Sequence, residues 1–258
     1  MSSLTPAFVS FSFEEFVRHG GGTGVHADGW GVAFYDDRDV RIVREPTPAC
    51  DSACVTLLHD HPILSRIVIS HVRKATLGEL ALYNTQPFQR ELGGRVHVFA
   101  HNGHMPGIGD LPAPGARRFC PIGTTDSEIA FCRLLEAMAS LWDAGSAPSL
   151  ADRFELVGTF AATVAGLGPA NFVYSDGEAI FAHAHRRTQA DKEIRPPGMY
   201  LLAGAAAPPP DAGVRIADGQ RVTLVASVPL SDEPWRPLDE GTLLALVDGD
   251  VALEATTV

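Results

Sequence analysis

Two consecutive amphipathic helices, with strand patterns on both sides, restrict the fold of this chain more than any other feature of its sequence. The first helix is predicted within 124–145, TTDSEIAFCRLLEAMASLWDAG, where Thr125 and Glu128 have the spacing of a capping box. Its apolar face is formed by Ile129, Cys132, Leu135 and Met138. A second helix is predicted over 150–167. Because the helices are not interleaved with single strands, this order predicts an α+β fold and excludes a regular βαβ alternation.

The predicted strands are short runs rich in β-branched and aromatic residues, bounded by turn residues. They cover 31–35, 40–44, 66–72, 96–100, a hairpin at 171–185 that turns at Asp176-Gly177, and later runs within 199–204, 221–227 and 242–255. With 258 residues, 45% of them hydrophobic, the chain can bury one sizeable core. The Pro/Ala stretch 205–213 is too short to separate domains, so we expect a single domain over residues 1–258.

Charge and composition exclude several classes of function. The net charge is −11, and the nearest approach to a basic cluster, Arg186-Arg187, is interpreted as a solvated turn, so no nucleic acid is expected as a partner. The uncharged stretch 156–174 is broken at Gly168-Pro169 and predicts a buried helix and strand, not a membrane span. The four cysteines form no Cys-x-x-Cys pair and no basic leader precedes them, which indicates a cytoplasmic protein with reduced thiols.

Ten histidines raise the question of a metal site. The candidate groups are His97 with His101 and His104, His59 with His61, and His183 with His185. None of these groups has a carboxylate partner at a recognisable ligand spacing. The glycine-rich segment at 19–24, HGGGTG, also lacks the Lys-Ser/Thr that completes a phosphate-binding loop. We therefore expect neither a metal ion nor a cofactor.

Four polar segments remain, each placed at the end of a predicted element. They are ISHVRKATLG with Arg73 and Thr76, YNTQPF, FAHNG with Asn102 and Gly103, and GTTDSE with Asp126. Each residue alone has an ordinary structural explanation: Arg73 as a surface ion pair, Asp126 as a helix cap, and Asn102 as a turn former. Together they supply a guanidinium and a carboxylate, which hold the two charged groups of a free amino acid. The Asn-Gly pair adds two donors that can stabilise an oxyanion on a side-chain amide carbon.

These segments also resemble a known family. DGWGVAFY, SHVRKAT, NTQPF, AHNG and GTTDSE, in this order and spacing, are similar to the class II glutamine amidotransferases, which are N-terminal-nucleophile hydrolases. The C-terminal segment 225–250 is similar too, so the likeness covers nearly the whole chain, and it is greatest to the stand-alone bacterial members. The resemblance implies a four-layer αββα sandwich.

The resemblance also implies a role for each site residue. Arg73 would hold the α-carboxylate of glutamine and Asp126 its α-ammonium group, while Asn102 (side chain) and Gly103 (backbone N–H) would form the oxyanion hole. Thr76 and the loop Asp28, Gly29 and Trp30 would line the same pocket.

One element of the family pattern is absent from this sequence. The family nucleophile is a cysteine that follows the initiator methionine and uses its own α-amino group as the base. Here the chain begins Met-Ser-Ser-Leu, and Cys50 is far from the N-terminus. The favoured explanation is that Met1 corresponds to an internal residue, with the catalytic strand missing or truncated. The alternatives are a binding protein that has lost its nucleophile, and an N-terminal Ser2 exposed by methionine removal.

By this resemblance, the expected reaction is hydrolysis of the γ-carboxamide of glutamine, or of a γ-glutamyl amide, through a covalent thioester. As it stands the chain is expected to keep its pocket without catalysis. One alternative is a γ-glutamyl hydrolase of an ergothioneine-type pathway, and another is a non-catalytic γ-glutamyl-binding protein. The expected partner is a small-molecule substrate; a homo-oligomer and a separate enzyme that accepts the ammonia both stay open.

Overall fold

Two β-sheets form the centre of the molecule in a computed structural model that describes residues 1–8, 15, 17–22, 27–75, 78–112, 118–142, 147–204 and 220–257. The first sheet has seven strands in the order β13-β11-β12-β1-β4-β2-β3. Their bounds are β1 Ser2–Ala7, β2 Trp30–Asp36, β3 Asp39–Glu45, β4 Ser65–Val72, β11 Tyr200–Leu202, β12 Val222–Ala226 and β13 Arg236–Pro237. Every neighbouring pair in this sheet is antiparallel.

The second sheet has six antiparallel strands in the order β15-β14-β8-β7-β6-β5. Their bounds are β5 Phe88–Leu92, β6 Arg95–Gly103, β7 Ala170–Ser175, β8 Ile180–His183, β14 Thr242–Val247 and β15 Asp250–Thr256. A small ribbon pairs β9, Arg187–Thr188, with β10, Ile194–Arg195. The α-helices of the described residues are α1 Ala53–Asp60, α2 Asp126–Trp142 and α3 Leu150–Ala165.

Three apolar clusters stack these elements into four layers. The first packs α2 and α3 against one face of the six-stranded sheet, with Phe131, Leu135 and Val157 facing Phe99 and Phe172. The second lies between the two sheets and takes residues from both. The third packs α1 on the outer face of the seven-stranded sheet. This αββα arrangement is the one that the resemblance implies. Each sheet buries one face on its partner and the other under helices.

The predicted helices are confirmed, with a difference at the start of α2. Thr125 Oγ1 accepts the Glu128 N–H as in a capping box. The Glu128 carboxylate, however, accepts the N–H groups of Ile122 and Gly123 and pairs with Arg90, so it holds the preceding turn and does not return to the cap residue.

Two strands differ from expectation. β1 occupies the centre of the seven-stranded sheet, between β12 and β4, although its sequence showed no strand pattern. β6 was expected to end at Ala100, but it continues to Gly103, because Asn102 and Gly103 pair with Asn171 and Ala170 of β7. No helix in the described part of the chain has the length and apolar character needed to cross a membrane.

Candidate active site

Arg73 directly follows β4 and is nearly buried, with 4% of its surface exposed. Its backbone N–H donates to Gly29 O at 2.7 Å, which ties the end of β4 to the loop before β2. Its guanidinium donates to the carbonyls of Gly78 and Glu79 at 3.3 and 3.2 Å. Burial lowers the pKa of Arg73, and the nearby Asp28 carboxylate acts in the opposite direction. The side chain is thus a fixed cation at the end of a central strand.

Asp28 and Gly29 support this position from the neighbouring loop. The Asp28 carboxylate accepts the Ala75 N–H at 2.8 Å, and the Asp28 N–H donates to Arg73 O at 3.1 Å. Gly29 has φ +140°, a conformation that residues with a Cβ rarely adopt. The loop therefore holds the backbone on both sides of Arg73.

Asn84 links the Arg73 loop to the start of α2. Its Nδ2 donates to Glu79 O at 3.1 Å, next to the carbonyls that the guanidinium uses, and its Oδ1 accepts the Thr124 N–H at 2.9 Å. Asn84 is buried, and a Cβ added at Gly123 would overlap its Oδ1. One amide side chain thus connects the loop that holds the cation to the turn before Asp126.

Asp126 is the first residue of α2, and its carboxylate turns toward the chain that follows β6. One oxygen accepts the Met105 N–H at 2.7 Å and lies 3.0 Å from His104 Nδ1, while the other accepts the Ser127 N–H at 2.8 Å. The end of β6 and the start of α2 are therefore held together by this carboxylate.

The end of β6 carries Asn102 and Gly103. Asn171 Nδ2 donates to Asn102 O at 3.0 Å, and a Cβ added at Gly103 would overlap Pro169 O, so only glycine fits there. The His101 N–H points away from β7 and donates to Gln86 Oε1 at 2.6 Å. Since N–H directions alternate along an antiparallel pair, the Gly103 N–H comes on the same side as that of His101.

These contacts bring six of the eight predicted site residues to one end of the molecule, namely Asp28, Gly29, Arg73, Asn102, Gly103 and Asp126. A continuous series of contacts runs from Arg73 through Asn84 to the turn before Asp126 and on to the residues after Gly103. This series contains the Arg73 guanidinium and the Asp126 carboxylate. It also contains the end of β6, with the Asn102 amide and the exposed Gly103. Such a set can bind the two charged groups of an amino acid and an oxyanion formed beyond them.

The other two predicted site residues, Trp30 and Thr76, are not placed in this pocket by the structure. Trp30 is fully buried in the cluster under α1, and its indole N–H donates to Glu45 at 3.1 Å, so the structure does not bring its side chain to this pocket. Its strand alternation places the indole on the outer face of the sheet, opposite the face of Ile67 and Ile69. Thr76 lies outside the described residues.

Three buried histidines form structural hydrogen bonds. His97 bonds the Tyr174 hydroxyl at 2.6 Å, His101 the Ser127 hydroxyl at 2.9 Å, and His183 the carbonyl of Ala170 at 2.8 Å. Burial lowers the pKa of all three, to about 4 for His183. Within the described ranges, no three His, Cys, Asp or Glu side chains are grouped to hold a metal ion.

The residues at the chain start lie away from this end of the molecule. Met1 forms a hydrogen-bonded pair with Val68, and burial lowers the pKa of its α-amino group to about 5. Ser2 is opposite Ile67, and its hydroxyl accepts the Gly249 N–H. Ser2 is therefore six residues along β4 from Arg73, or roughly 20 Å at the rise of a strand. This separation is unsuited to a nucleophile acting on a substrate held by Arg73.

Comparison with known proteins gives the same family along the whole chain. The family model for class-II glutamine amidotransferases matches residues 1–258. YafJ of Escherichia coli strain K12, named for the same activity, is 35% identical over 242 residues, which cover 93% of each chain. A Haemophilus influenzae protein with a similar name is 34% identical over 260 residues, covering 98% of this chain and 85% of its own.

Solved structures agree. A Pseudomonas aeruginosa PA01 protein described as a predicted glutamine amidotransferase aligns with a TM-score of 0.67 and 29% identity, covering 97% of this chain and 93% of its own. The glutamine phosphoribosylpyrophosphate amidotransferase of Bacillus subtilis has the same fold, with a TM-score of 0.60 at 14% identity. The match covers 97% of this chain and 46% of that longer one.

Proposed function

Because the chain belongs to the class-II glutamine amidotransferases, we propose that it acts on the γ-amide of glutamine or of a γ-glutamyl amide. The observation that carries this proposal is the Asn84 bridge. One buried amide holds the loop of Arg73 and the turn before Asp126 in a fixed relation. The two charges that an amino acid needs are thereby preorganised, at the strand end where Asn102 and Gly103 lie.

The proposed roles follow from the chemistry of each group. Arg73 takes the substrate α-carboxylate as a charge-assisted pair, and Asp126 takes the α-ammonium group. The Asn102 side chain and the Gly103 N–H hold the oxygen of the γ-amide as it gains negative charge. The direction of the Gly103 N–H supports this role. Like the His101 N–H, it points away from β7, so the β6–β7 pairing does not use it as a donor.

We further propose that the nucleophile is a cysteine upstream of Met1, carried by a continuation of β1. Met1 pairs with Val68, and each residue added before it would pair one residue further along β4. The fifth residue before Met1 would therefore lie opposite Arg73. It would also share a face with Ser2 and Ile67, and Ile67 lies in the cluster between the two sheets.

The proposed reaction consumes one water. The cysteine thiolate attacks the γ-amide carbon, the C–N bond breaks, and the nitrogen leaves with a proton as ammonia or an amine. Water then hydrolyses the thioester, which releases glutamate and restores the thiol. The α-amino group of the same cysteine would carry the protons.

An extended chain tests both the reaction and the register. A five-residue extension that starts with cysteine should give ammonia release from glutamine, measured with a coupled dehydrogenase assay. A four-residue extension starting with cysteine is the matched control, because it turns that side chain to the other face of the strand. Serine in place of cysteine in the five-residue extension is expected to reduce turnover sharply, since a hydroxyl is the weaker nucleophile at neutral pH.

The possible failures are distinguishable. If every extended chain binds glutamate but none releases ammonia, the upstream cysteine is wrong and a γ-glutamyl-binding protein is favoured. If none binds glutamate, the pocket itself is wrong.

We also propose that the protein acts in the cytoplasm. The four cysteines support this, because none of them forms a disulfide. Delivery of the ammonia to a separate acceptor enzyme is also part of the proposal.

A further inference from the structure

Arg186 has an unusual environment beside the candidate site. It follows β8 by three residues and is partly buried. Its Nε is buried and has no hydrogen-bond partner among the described residues. The same is true of Arg187 Nε, but the Arg187 guanidinium donates to Thr188 O at 3.3 Å. A buried guanidinium nitrogen without an acceptor is costly, so it calls for a ligand more than a surface arginine does.

Asn171 fixes Arg186 next to the end of β6. Asn171 Nδ2 donates both to Asn102 O at 3.0 Å and to Arg186 O at 2.8 Å. Its Oδ1 accepts the His185 N–H at 2.7 Å, so all of its amide hydrogen-bonding groups are used. Asn171 is completely buried, and Gly198 packs so closely that a Cβ there would overlap its Oδ1. The backbone of Arg186 is thus held within two hydrogen bonds of the residue proposed to bind the oxyanion.

Glu240, the acidic residue that contacts His185, does not neutralise Arg186. Glu240 pairs with His185 Nε2 at 2.9 Å. Burial lowers the pKa of His185, Glu240 acts in the opposite direction, and the positive charge of Arg186 lowers it further. No ion pair links Arg186 to a described carboxylate, so its charge is available to an anion.

Arg186 and Arg73 lie on opposite sides of the β6 end. The contacts of Arg73 run through Asn84, which precedes β5, whereas Arg186 follows β8, on the far side of β7. Asn171 Nδ2 donates to the carbonyls of both Asn102 and Arg186, so the Arg186 backbone lies directly beside the end of β6. A γ-glutamyl substrate held at its α-end near Arg73 would therefore extend its leaving group from Asn102 toward Arg186.

We propose that Arg186 binds an anionic group on the leaving amine, so that the favoured substrate is a γ-glutamyl conjugate with a carboxylate, such as a γ-glutamyl amino acid or peptide. This inference rests on the proposed function. Arg73 takes the α-carboxylate in that proposal, which leaves Arg186 for a second acid that free glutamine lacks. Substrate choice then depends on the charge beyond the amide bond.

Calorimetry on the present chain tests this proposal without any catalytic step. The two ligands are γ-glutamylglycine and γ-glutamyl methylamide, which differ by the carboxylate on the amine. We expect γ-glutamylglycine to bind about ten- to a hundredfold more tightly, the range of one hydrogen-bonded ion pair. Arg186→Gln should remove that preference and leave binding of the methylamide unchanged. Arg187→Gln is the matched control, with the same loss of charge one residue away, and should retain the preference.

Each contrary outcome has its own meaning. Equal affinities of the two ligands for the unaltered chain would overturn the assignment of Arg186 while leaving the γ-glutamyl pocket intact. Loss of the preference in the Arg187 variant and not in the Arg186 variant would also overturn it. Failure of both ligands to bind would contradict the proposed function itself, and this inference with it.

Discussion

Replacing Arg73 with glutamine is expected to weaken binding of L-glutamate by at least about a hundredfold. In its proposed role the guanidinium would provide a pair of charge-assisted hydrogen bonds to the α-carboxylate, each contributing about 1.5–3 kcal/mol. Glutamine keeps a donor for the carbonyls of Gly78 and Glu79, so the melting temperature should change little. Lysine at this position should recover only part of the affinity, because it cannot form the two-pronged pair. Isothermal titration with L-glutamate measures the effect.

Arg66→Gln is the control for the Arg73 variant. Arg66 lies in the first half of β4, the strand that Arg73 follows. It is about half exposed and pairs with Asp248, so its loss removes one charge without touching the pocket. We expect the Arg66 variant to bind glutamate like the unaltered chain. Normal glutamate binding by the Arg73 variant would show that the α-carboxylate is held elsewhere.

Arg153→Met is expected to lower the free energy of unfolding by about 3–5 kcal/mol, the usual cost of removing one partner of a buried ion pair. Arg153, near the start of α3, donates to Asp176 at 2.6 Å and also lies 3.2 Å from Glu178. Asp176 is completely buried in the turn between β7 and β8, where it also accepts two backbone N–H groups. Without Arg153, its carboxylate would remain buried without a cation.

Urea unfolding at neutral pH measures this loss, with Arg236→Met as the control. Arg236 pairs with Glu254 at 3.3 Å, and both side chains are about half exposed, so its removal should cost no more than about 1 kcal/mol. Adding Asp176→Asn to the Arg153 variant should recover part of the stability, because the unpaired charge is then gone. Equal losses of unfolding free energy in the Arg153 and Arg236 variants would show that the buried pair does not stabilise the packing of α3 on the β7–β8 hairpin.

The helices could be predicted because their signals are local. α2 and α3 have apolar residues at helical spacing and a hydroxyl at the cap, and Ser149 caps α3 through the Asp152 N–H. β1 could not be predicted in this way. Its residues, SSLTPA, have neither alternation nor a long apolar run, and the strand exists because β4 and β12 offer backbone partners on both sides.

The end of β6 shows how tertiary contacts override a turn signal. His-Asn-Gly is typical of a turn, and it was expected to end the strand at Ala100. β7 pairs with these residues, and Gln86 accepts the His101 N–H and donates to the His101 carbonyl. The chain therefore stays extended to Gly103, and the two proposed oxyanion donors belong to a strand and not to a flexible loop.

Motifs predict the site residues, whereas they give no indication of the residues that support them. Asn84 lay within a quoted motif but received no role, since its partners are distant in sequence. Asn171 carried a usable signal, a polar side chain in an otherwise apolar strand, because such a residue must find hydrogen-bond partners when buried. Trp30 was placed with the pocket by its motif, yet strand alternation alone would have turned its indole to the outer face.

The central claim is that an upstream cysteine reaches the pocket of Arg73, and the native N-terminus tests it most directly. Protein purified from its own organism would be treated with a glutamine analogue that carries an electrophilic ketone at the amide position, and its N-terminal peptide identified by mass spectrometry. We expect a peptide that begins with cysteine five residues before Met1 and carries the adduct. A native chain that begins at Met1 or Ser2, or an adduct on Cys50 with an unlabelled N-terminal peptide, would contradict it.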